Sequence, residues 1–514
     1  MDHRLVAASL LLVLSVTTIE ATTDPALLSA VKHGDAAAVA AALKRKVDVN
    51  APLADGATAL HWAALRDDHR IVDLLIGAGA NVNAANEYGV TPMALAAENG
   101  SAPMIERLLK AGGKANVAAS TGGTPLQIAA RVGARNAVKI LVAHGADVNA
   151  REATRGQTAL MWAVWEQHPD VVQLLIELGA DVHARSADPP EFPIVRAFQA
   201  ITPVESLEIG GFTALMFAAR EGHVPISEML IAAGARVNDT ATDGVTPLVV
   251  ASVRGHLALA KFLLEHGADP NLDKAGYTAL HWAAGAWETN LTGPFGLTDT
   301  RSEWTGLAGL KGPARLEFVK LLLKHGANPN LRFGKEPPFF FGLSSICFFD
   351  CGATLLGRLR LAGATPFWLA AQAADVAVMR ALLDAGADPK ISTLEDTTPL
   401  MAAAGLGRIV GESLVDEPSA LEAVRLLIEL GADVNATSNI GDTALHAAAW
   451  EGMNSLVQAL VDRGARLDAK NKYGETPMSV ADGFGRRVAG TNVIHPKTAE
   501  LLRKLAAERK PGVK

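Results

Sequence analysis

Apolar and polar residues recur along this chain with a period of about 33 residues. Each copy begins with a glycine, a variable residue and Thr-Pro-Leu or Thr-Ala-Leu, and it continues into an alanine-rich apolar run. Because most intervals stay close to this period, the pattern predicts one supersecondary unit stacked on copies of itself. The anchoring threonines are Thr58, Thr91, Thr124, Thr158, Thr213, Thr246, Thr278, Thr365, Thr398, Thr443 and Thr476.

Glycines fix the register of the predicted helices and turns. A Gly-Ala or Gly-Gly pair follows the threonine at one fixed distance in eight copies, as Gly79 follows Thr58. The threonine hydroxyl is suited to cap a first helix, and the glycine can end a second helix in the left-handed conformation. Another glycine lies two residues before ten of the threonines, where a tight hairpin turn needs a positive φ. Asp396 replaces that glycine in one copy, and we predict a distorted turn there.

Three of these segments, GATALHWAA from Gly56, GVTPMALAA from Gly89 and GADVNA from Gly145, resemble the ankyrin repeat. The resemblance covers the chain from about residue 24 onward. It implies an all-α repeat solenoid of about 12 helix-turn-helix units with short β-hairpin fingers. It also implies that the inner helices and the fingers bind other macromolecules, usually proteins. That second implication is an analogy from fold to function.

The N-terminal residues predict where the protein is sent. Arg4, an apolar run from Leu5 to Val16 and the small residue Ala21 resemble a secretory signal peptide. Residues 1–21 are therefore predicted to be a signal peptide that directs export to the periplasm or the extracellular space. The alternatives are an uncleaved anchor, or an apolar helix that packs on the first repeat.

The remaining chain divides into a cap and a long repeat region. Residues 22–54 keep the helix pair without the threonine phrase and are predicted to be the N-terminal capping repeat. Residues 55–514 hold the other repeats and are predicted to end in a C-terminal capping helix. A stack accommodates extra residues in loops at its edges, so the inserts are candidates for a specialised function. They lie near residues 186–209, 285–312, 333–361 and 405–417.

Composition and motifs exclude several classes of function. A net charge of −7 and a pI near 6.1 give no basic surface for nucleic acid. The sequence holds no G-x-x-x-x-G-K-[ST], H-E-x-x-H or G-x-S-x-G motif, so we predict no enzyme activity, no cofactor and no metal. We expect no membrane span in the mature chain, and the apolar run from Leu5 to Val16 in the leader is itself too short to cross a bilayer. We expect a monomer that binds a protein partner.

The insert at 333–361 carries the strongest local anomaly. Six of the chain's 15 phenylalanines fall between positions 333 and 349. An exposed cluster would mark a contact with a partner or a lipid, whereas a loop that folds back would bury the rings as a small core. The predicted contact residues of this cluster are Phe339, Phe340 and Phe341. Cys347 and Cys351, the only cysteines, are predicted to form a local disulfide, with a redox switch as the alternative.

The seventh residue after the threonine varies from copy to copy, and family geometry places it on the concave face. Such variation is typical of a binding surface, since a core position would hold side chains of similar volume. The predicted contacts at this position are Leu65, Glu98, Arg131, Trp165, Arg220, Gln372 and Trp450, and Val253 occupies it as well. The two tryptophans are candidate hot spots, or they cover a helix of the next repeat. Tyr88 and Tyr473 at finger tips complete the predicted set.

Two functions remain open from the sequence. The first is a non-enzymatic scaffold that binds a protein through its fingers, its concave helices and the Phe-rich insert. The second is a specialised solenoid in which inserts 285–312 and 333–361 form a small-molecule or enzymatic site. A closed pocket with converging polar groups would favour the second function, and an open platform would favour the first.

Overall fold

A computed structural model describes residues 24–118, 123–187, 210–285, 310, 312–334, 361–406, 415–483 and 494–509. The chain divides into two compact units, Met1–Ala153 and Thr154–Lys514. Each unit is a series of helix pairs. The first helix of each pair is called the inner helix here, and the second is called the outer helix.

The described part of the first unit contains four helix pairs. Each inner helix packs on its own outer helix, and α1, α3 and α5 also pack on the inner helix that follows them. The helices are α1 (Pro25–His33), α2 (Ala36–Lys44), α3 (Ala59–Leu65), α4 (His69–Gly77), α5 (Pro92–Glu98), α6 (Ala102–Lys110), α7 (Pro125–Arg131) and α8 (Arg135–Ala143).

The second unit repeats the same packing over eight helix pairs. The helices are α9 (Ala159–Trp165), α10 (Pro169–Glu177), α11 (Ala214–Glu221), α12 (Val224–Ala232), α13 (Pro247–Arg254), α14 (Leu257–Glu265), α15 (Ala279–Ala284), α16 (Pro313–Lys324), α17 (Pro366–Gln372), α18 (Val376–Asp384), α19 (Pro399–Ala403), α20 (Glu417–Glu429), α21 (Ala444–Glu451), α22 (Asn454–Asp462), α23 (Pro477–Ala481) and α24 (Pro496–Arg509). The predicted all-α stack of repeats is confirmed. Of the helices described, none has the length and hydropathy that crossing a bilayer requires.

Threonine starts the inner helices as the sequence predicts. The hydroxyl of Thr91 accepts a hydrogen bond from the backbone N–H of Ala94 at 3.2 Å, which satisfies one of the free donors at the start of α5. The alanine pairs of the inner helices, such as Ala63 and Ala64, are fully buried. Their small side chains let neighbouring inner helices pack closely.

The predicted fingers are present as hydrogen-bonded turns. In one finger the N–H of Asn86 donates to the carbonyl of Val90 at 3.0 Å, and the N–H of Gly89 donates to Asn86 at 2.8 Å. The N–H of Glu87 donates to the carbonyl of Asp55 in the preceding finger at 3.0 Å. A ladder this short makes no β-strand in the residues that the structure describes, so the fingers are turns without strands.

The prediction of a distorted turn at Asp396 is wrong. Asp396 adopts the positive φ of the glycine that it replaces, at 57°. The hydrogen bonds from Thr393 to Thr397 and from Asp396 to Thr393 match those of the regular fingers, at 3.0 and 3.1 Å. Aspartate is one of the few residues besides glycine that tolerate the left-handed region, so the backbone keeps its turn.

An asparagine ladder joins consecutive repeats beyond the outer helices. Asn271 donates through Nδ2 to the carbonyl of Gly326 at 2.9 Å and accepts from the N–H of Asn328 at 2.7 Å. Asn330 makes the matching bond to Gly386 at 2.9 Å. These bonds span 55 and 56 residues, although the equivalent bond of a regular repeat spans 29. The repeats therefore keep their register on both sides of the long inserts.

Lys390 interrupts this ladder, because it takes the place that Asn330 holds in the preceding repeat. We expect Lys390→Asn to raise the free energy of unfolding by about 1 kcal/mol, since the new amide can bond to the next loop. Asn330→Ala should lower it by about 2 kcal/mol, because the side chain donates to Gly386 and accepts from the N–H of Asp388, and both hydrogen bonds are lost. Urea unfolding followed by circular dichroism measures both changes. Gly431 holds the position in the next repeat that Gly386 holds for Asn330. If Lys390→Asn did not raise the free energy of unfolding, the carbonyl of Gly431 would be out of reach of the new amide.

Candidate functional site

In the first unit, the predicted contact residues at the seventh position lie at the C-terminal ends of the inner helices. Leu65 ends α3 and is 46% exposed. Glu98 is exposed at the end of α5 and Arg131 is half-buried at the end of α7. The guanidinium of Arg131 donates through Nη2 to both carboxylate oxygens of Glu98, at 2.9 and 2.7 Å. These two charges neutralise each other across neighbouring repeats.

A second row of apolar side chains lies beside these residues. Trp62, Leu95 and Ile128 occupy the fourth position after the threonine and are half-buried. Residues three apart on a helix share a face, so this row and the row that contains Leu65 form one surface. The ammonium of Lys32 stands 4.2 Å from the ring centroid of Trp62, within the range of a cation–π contact. Apolar side chains and charge are therefore accessible together in this unit.

In the second unit, the side chains at several of the same positions are shielded from water. Arg220 is 9% exposed and Val253 is 3% exposed at the seventh position. Phe217, Val250 and Trp282 are 3%, 6% and 4% exposed at the fourth position. A partner gains little hydrophobic free energy from side chains that are already shielded from water. Gln372 and Trp450 are half-buried.

Trp165 is held within an aromatic stack. Its ring lies 5.7 Å from that of Trp162 and 5.5 Å from that of Phe217, with interplanar angles of 14° and 23°. The guanidinium carbon of Arg220 lies 4.8 Å from the centroid of Trp165. The structure thus brings Trp165 and Arg220 together, and it uses much of both side chains in contacts within the unit.

Tyr88 and Tyr473 are presented on matching finger turns, with exposures of 63% and 47%. Asn86 Oδ1 accepts from the N–H of Tyr88 at 3.0 Å and from that of Val90 at 2.8 Å. Asn471 makes the same pair of bonds around Tyr473, both at 3.0 Å. A fixed backbone lowers the entropy that a tyrosine loses on binding. The recurring N-x-Y-G segment could have revealed these supporting asparagines in the sequence.

Part of the predicted set lies outside the described residues, namely Phe339, Phe340, Phe341, Cys347 and Cys351. At the near end of that insert, Phe333 is 2% exposed. Its ring lies 4.5 Å from that of His281 and 5.8 Å from that of Tyr277. Phe333 is therefore part of the core of its repeat.

Buried histidines form hydrogen bonds inside the repeats. His281 accepts from the N–H of Thr278 through Nδ1 at 3.1 Å, and its Nε2 lies 3.1 Å from the carbonyl of Leu331. Burial lowers the pKa of His281 to about 4. Burial also lowers the pKa of His61 and of His446. Within the described ranges, no three His, Cys, Asp or Glu side chains are grouped as metal ligands would be.

Known proteins share parts of this chain. Human ankyrin repeat and SOCS box protein 18 is 32% identical over 176 residues, which are 30% of this chain and 35% of that protein. The mouse B-cell lymphoma 3 protein homolog is 43% identical over 65 residues, which are 13% of this chain and 14% of that protein. This chain therefore spans about a third or less of these relatives. The crystal structure of the human ASB11 ankyrin repeat domain has a TM-score of 0.40 and 26% identity, with 48% of this chain and 99% of that chain covered.

The family model described as ankyrin repeats, in three copies, matches more than half of the chain. The matched segments are residues 27–119, 93–186, 215–290, 367–471 and 414–489. They contain most of the helix pairs of both units, and α16 lies outside them. The chain belongs to the ankyrin-repeat family.

Proposed function

We propose that the chain is a non-enzymatic scaffold for a protein partner, and that the inner helices of the first unit form its main contact surface. The supporting observation is the contrast in exposure at matching positions. Leu65 is 46% exposed, whereas Val253 is 3% exposed. Binding is favoured where a partner removes apolar area from water, and that area is available around Leu65.

The charges around this surface favour a partner with acidic residues. Lys32 and Arg66 are both exposed, and among the described residues neither has a carboxylate at ion-pair distance. Arg131, by contrast, is paired with Glu98. Lys32, Trp62, Leu65 and Arg66 are called the N-terminal patch here. A segment that covers Leu65 with an apolar side chain and offers carboxylates to the two cations fits this patch.

Two labelled amphipathic peptides test this proposal, one of leucine and glutamate and one of leucine and lysine. We expect the acidic peptide to bind the full chain more tightly. The double variant Lys32→Glu, Arg66→Glu should weaken that binding at least about tenfold, because attraction becomes repulsion. Fluorescence anisotropy titrations measure both affinities. Equal binding of the two peptides would contradict the proposed charge of the partner.

Leucine variants test the location of the surface separately. Leu65→Glu should weaken binding of the acidic peptide, because it adds a like charge and removes the apolar contact. Leu394→Glu is the matched control, since Leu394 is 69% exposed in the second unit and lies outside the proposed surface. An equal loss in both variants would place the contact elsewhere.

We also propose three features from the sequence alone. Phe339, Phe340 and Phe341 contact a partner, Cys347 and Cys351 form a disulfide, and residues 1–21 direct export. The support is the Phe-rich composition, the short spacing of the cysteines and the apolar leader. A thiol assay without reductant tests the disulfide, because free thiols would exclude it.

A further inference from the structure

Each of the three longest inserts has an arginine at its base. The described chain stops at residues 187, 285 and 334, and it continues with helical or finger structure after the insert. Arg185 and Arg332 precede two of these gaps, and both lie six residues after the glycine that ends an outer helix. Arg315 follows the third gap, in the first turn of α16.

Arg185 and Arg332 make equivalent hydrogen bonds. Arg185 donates through Nη1 to the carbonyl of Gly211, across the insert, at 3.1 Å, and to that of Thr240 in the next finger at 2.5 Å. Arg332 donates through Nε to Gly363, across its own insert, at 3.1 Å, and through Nη2 to Ser392 in the next finger at 2.6 Å. Each guanidinium therefore joins the two sides of an insert and the following repeat.

Arg315 closes the base of the remaining insert in a related way. It donates through Nη1 to the carbonyl of Gly285, the last described residue before the insert, at 3.1 Å. Its Nε and Nη2 donate to Asp375 Oδ2 in the next repeat, at 3.2 and 2.5 Å. The side chains of Arg315 and Asp375 are 12% and 19% exposed, so this pair is shielded from water.

Two of the long inserts, near residues 186–209 and 333–361, interrupt a finger, and the backbone hydrogen bond at the base of each finger is kept. The N–H of Ser186 donates to Phe212 at 2.9 Å, and the N–H of Phe333 donates to Ala364 at 2.8 Å. A regular finger makes the same bond between residues four apart, as from Asn86 to Val90. The inserted residues therefore replace only the tip of the turn. Without a short tip, chain connectivity no longer holds the two sides of the turn together.

We propose that Arg185, Arg315 and Arg332 are positioning residues that close the base of each long insert and tie it to the next repeat. Arginine suits this task because its planar group presents several donors in fixed directions, whereas lysine presents one ammonium. The described repeats on the two sides of each insert then keep their packing without support from the inserted residues. Each arginine contributes most when its insert is present, since a short turn closes its own base.

Excision of the finger inserts tests this dependence. Joining residue 187 to residue 210 removes positions 188–209 and restores the regular finger length, as does joining residue 334 to residue 362. Arg185→Ala and Arg332→Ala are made in the full chain and in the excised chains. In the full chain we expect amide exchange of Gly211 and Gly363 to accelerate at least about tenfold. In the excised chains the same substitutions should change it less than about threefold.

Arg151 supplies the matched control, because it occupies the same position before a finger without an insert. Arg151→Ala should leave the exchange of Gly211 and Gly363 unchanged. Equal acceleration in the full and excised chains would overturn the proposal, because the arginines would then support any finger. Loss of the far-UV helix signal on excision would also overturn it, since the inserts would be part of the fold.

Discussion

Replacing Trp368 by alanine is expected to lower the free energy of unfolding of the second unit by about 3–5 kcal/mol. Trp368 is fully buried in α17, so its removal leaves a large cavity in a core that cannot collapse freely. Its indole Nε1 also donates to the carbonyl of Thr397 in the next finger at 3.0 Å. That carbonyl would lose one of its two donors and keep the N–H of Thr393, so the lost hydrogen bond adds only about 1 kcal/mol to the cost of the cavity.

Urea unfolding of the full chain measures this change, and Trp450→Ala is the matched control. Trp450 lies at the end of the inner helix α21 in the same unit and is half-buried. Its truncation should cost about 1–2 kcal/mol, because less apolar area returns to water. Equal costs for the two substitutions would show that Trp368 does not hold its repeat together. Trp368→Phe should fall between wild type and Trp368→Ala, since it keeps most of the ring and loses the hydrogen bond.

The sequence predicts the repeat architecture well, because each helix is defined by local chemistry. Threonine supplies the cap, alanine allows close approach, and glycine allows the left-handed turn. These requirements recur at fixed spacing, so they are visible without tertiary information. Asp396 is the exception, because aspartate tolerates positive φ better than most residues, and the spacing of glycines does not reveal that it can take the place of a glycine in this turn.

The sequence predicts the candidate site only in part. It identifies the variable position that contains Leu65, Arg220 and Val253, but not which of these residues is accessible. Leu65 is 46% exposed and Val253 is 3% exposed, although both follow a threonine by seven residues. Accessibility depends on packing between distant parts of a unit, which a repeat pattern does not encode. The contrast between the accessible Leu65 and the shielded Val253 is therefore visible only in the structure.

The supporting polar contacts were likewise hidden in the sequence. Arg185 and Arg332 lie in finger segments that resemble the others, and only the distances to Gly211 and Gly363 reveal a common role. Trp368 takes the position of the capping histidines, and its indole N–H reaches the finger carbonyl that His446 reaches in its own repeat. Different side chains thus satisfy one geometric requirement, and a residue pattern alone does not show this equivalence.

Acid is expected to destabilise the second unit through His281. Its Nδ1 accepts a backbone hydrogen bond from Thr278, so only the neutral ring fits the folded state. The folded pKa is about 4 and the unfolded pKa is 6.5. Between these values the unfolded chain binds a proton that the folded chain does not, so stability falls as pH drops from 6.5 to 4. The loss reaches about 3 kcal/mol below the folded pKa.

A glutamine at position 281 separates this effect from other acid-sensitive groups. Gln127 already occupies the equivalent position in the first unit, where Oε1 accepts from the N–H of Thr124 at 2.7 Å and Nε2 donates to Ala150 at 2.8 Å. His281→Gln should therefore preserve the capping contacts without titrating. Urea unfolding across the acid range should show a smaller decline for this variant than for the wild type. Parallel declines would mean that His281 remains neutral in both states or is protonated in both.

Some dependence on pH should remain in His281→Gln, because burial also lowers the pKa of His61 and His446. At His446 the charges of Asp442 and Glu475 oppose that shift, so its contribution is reduced. Both histidines stay in place when position 281 is changed, so they contribute equally to the wild type and to the variant. The difference between the two stability curves therefore isolates the proton that His281 binds on unfolding.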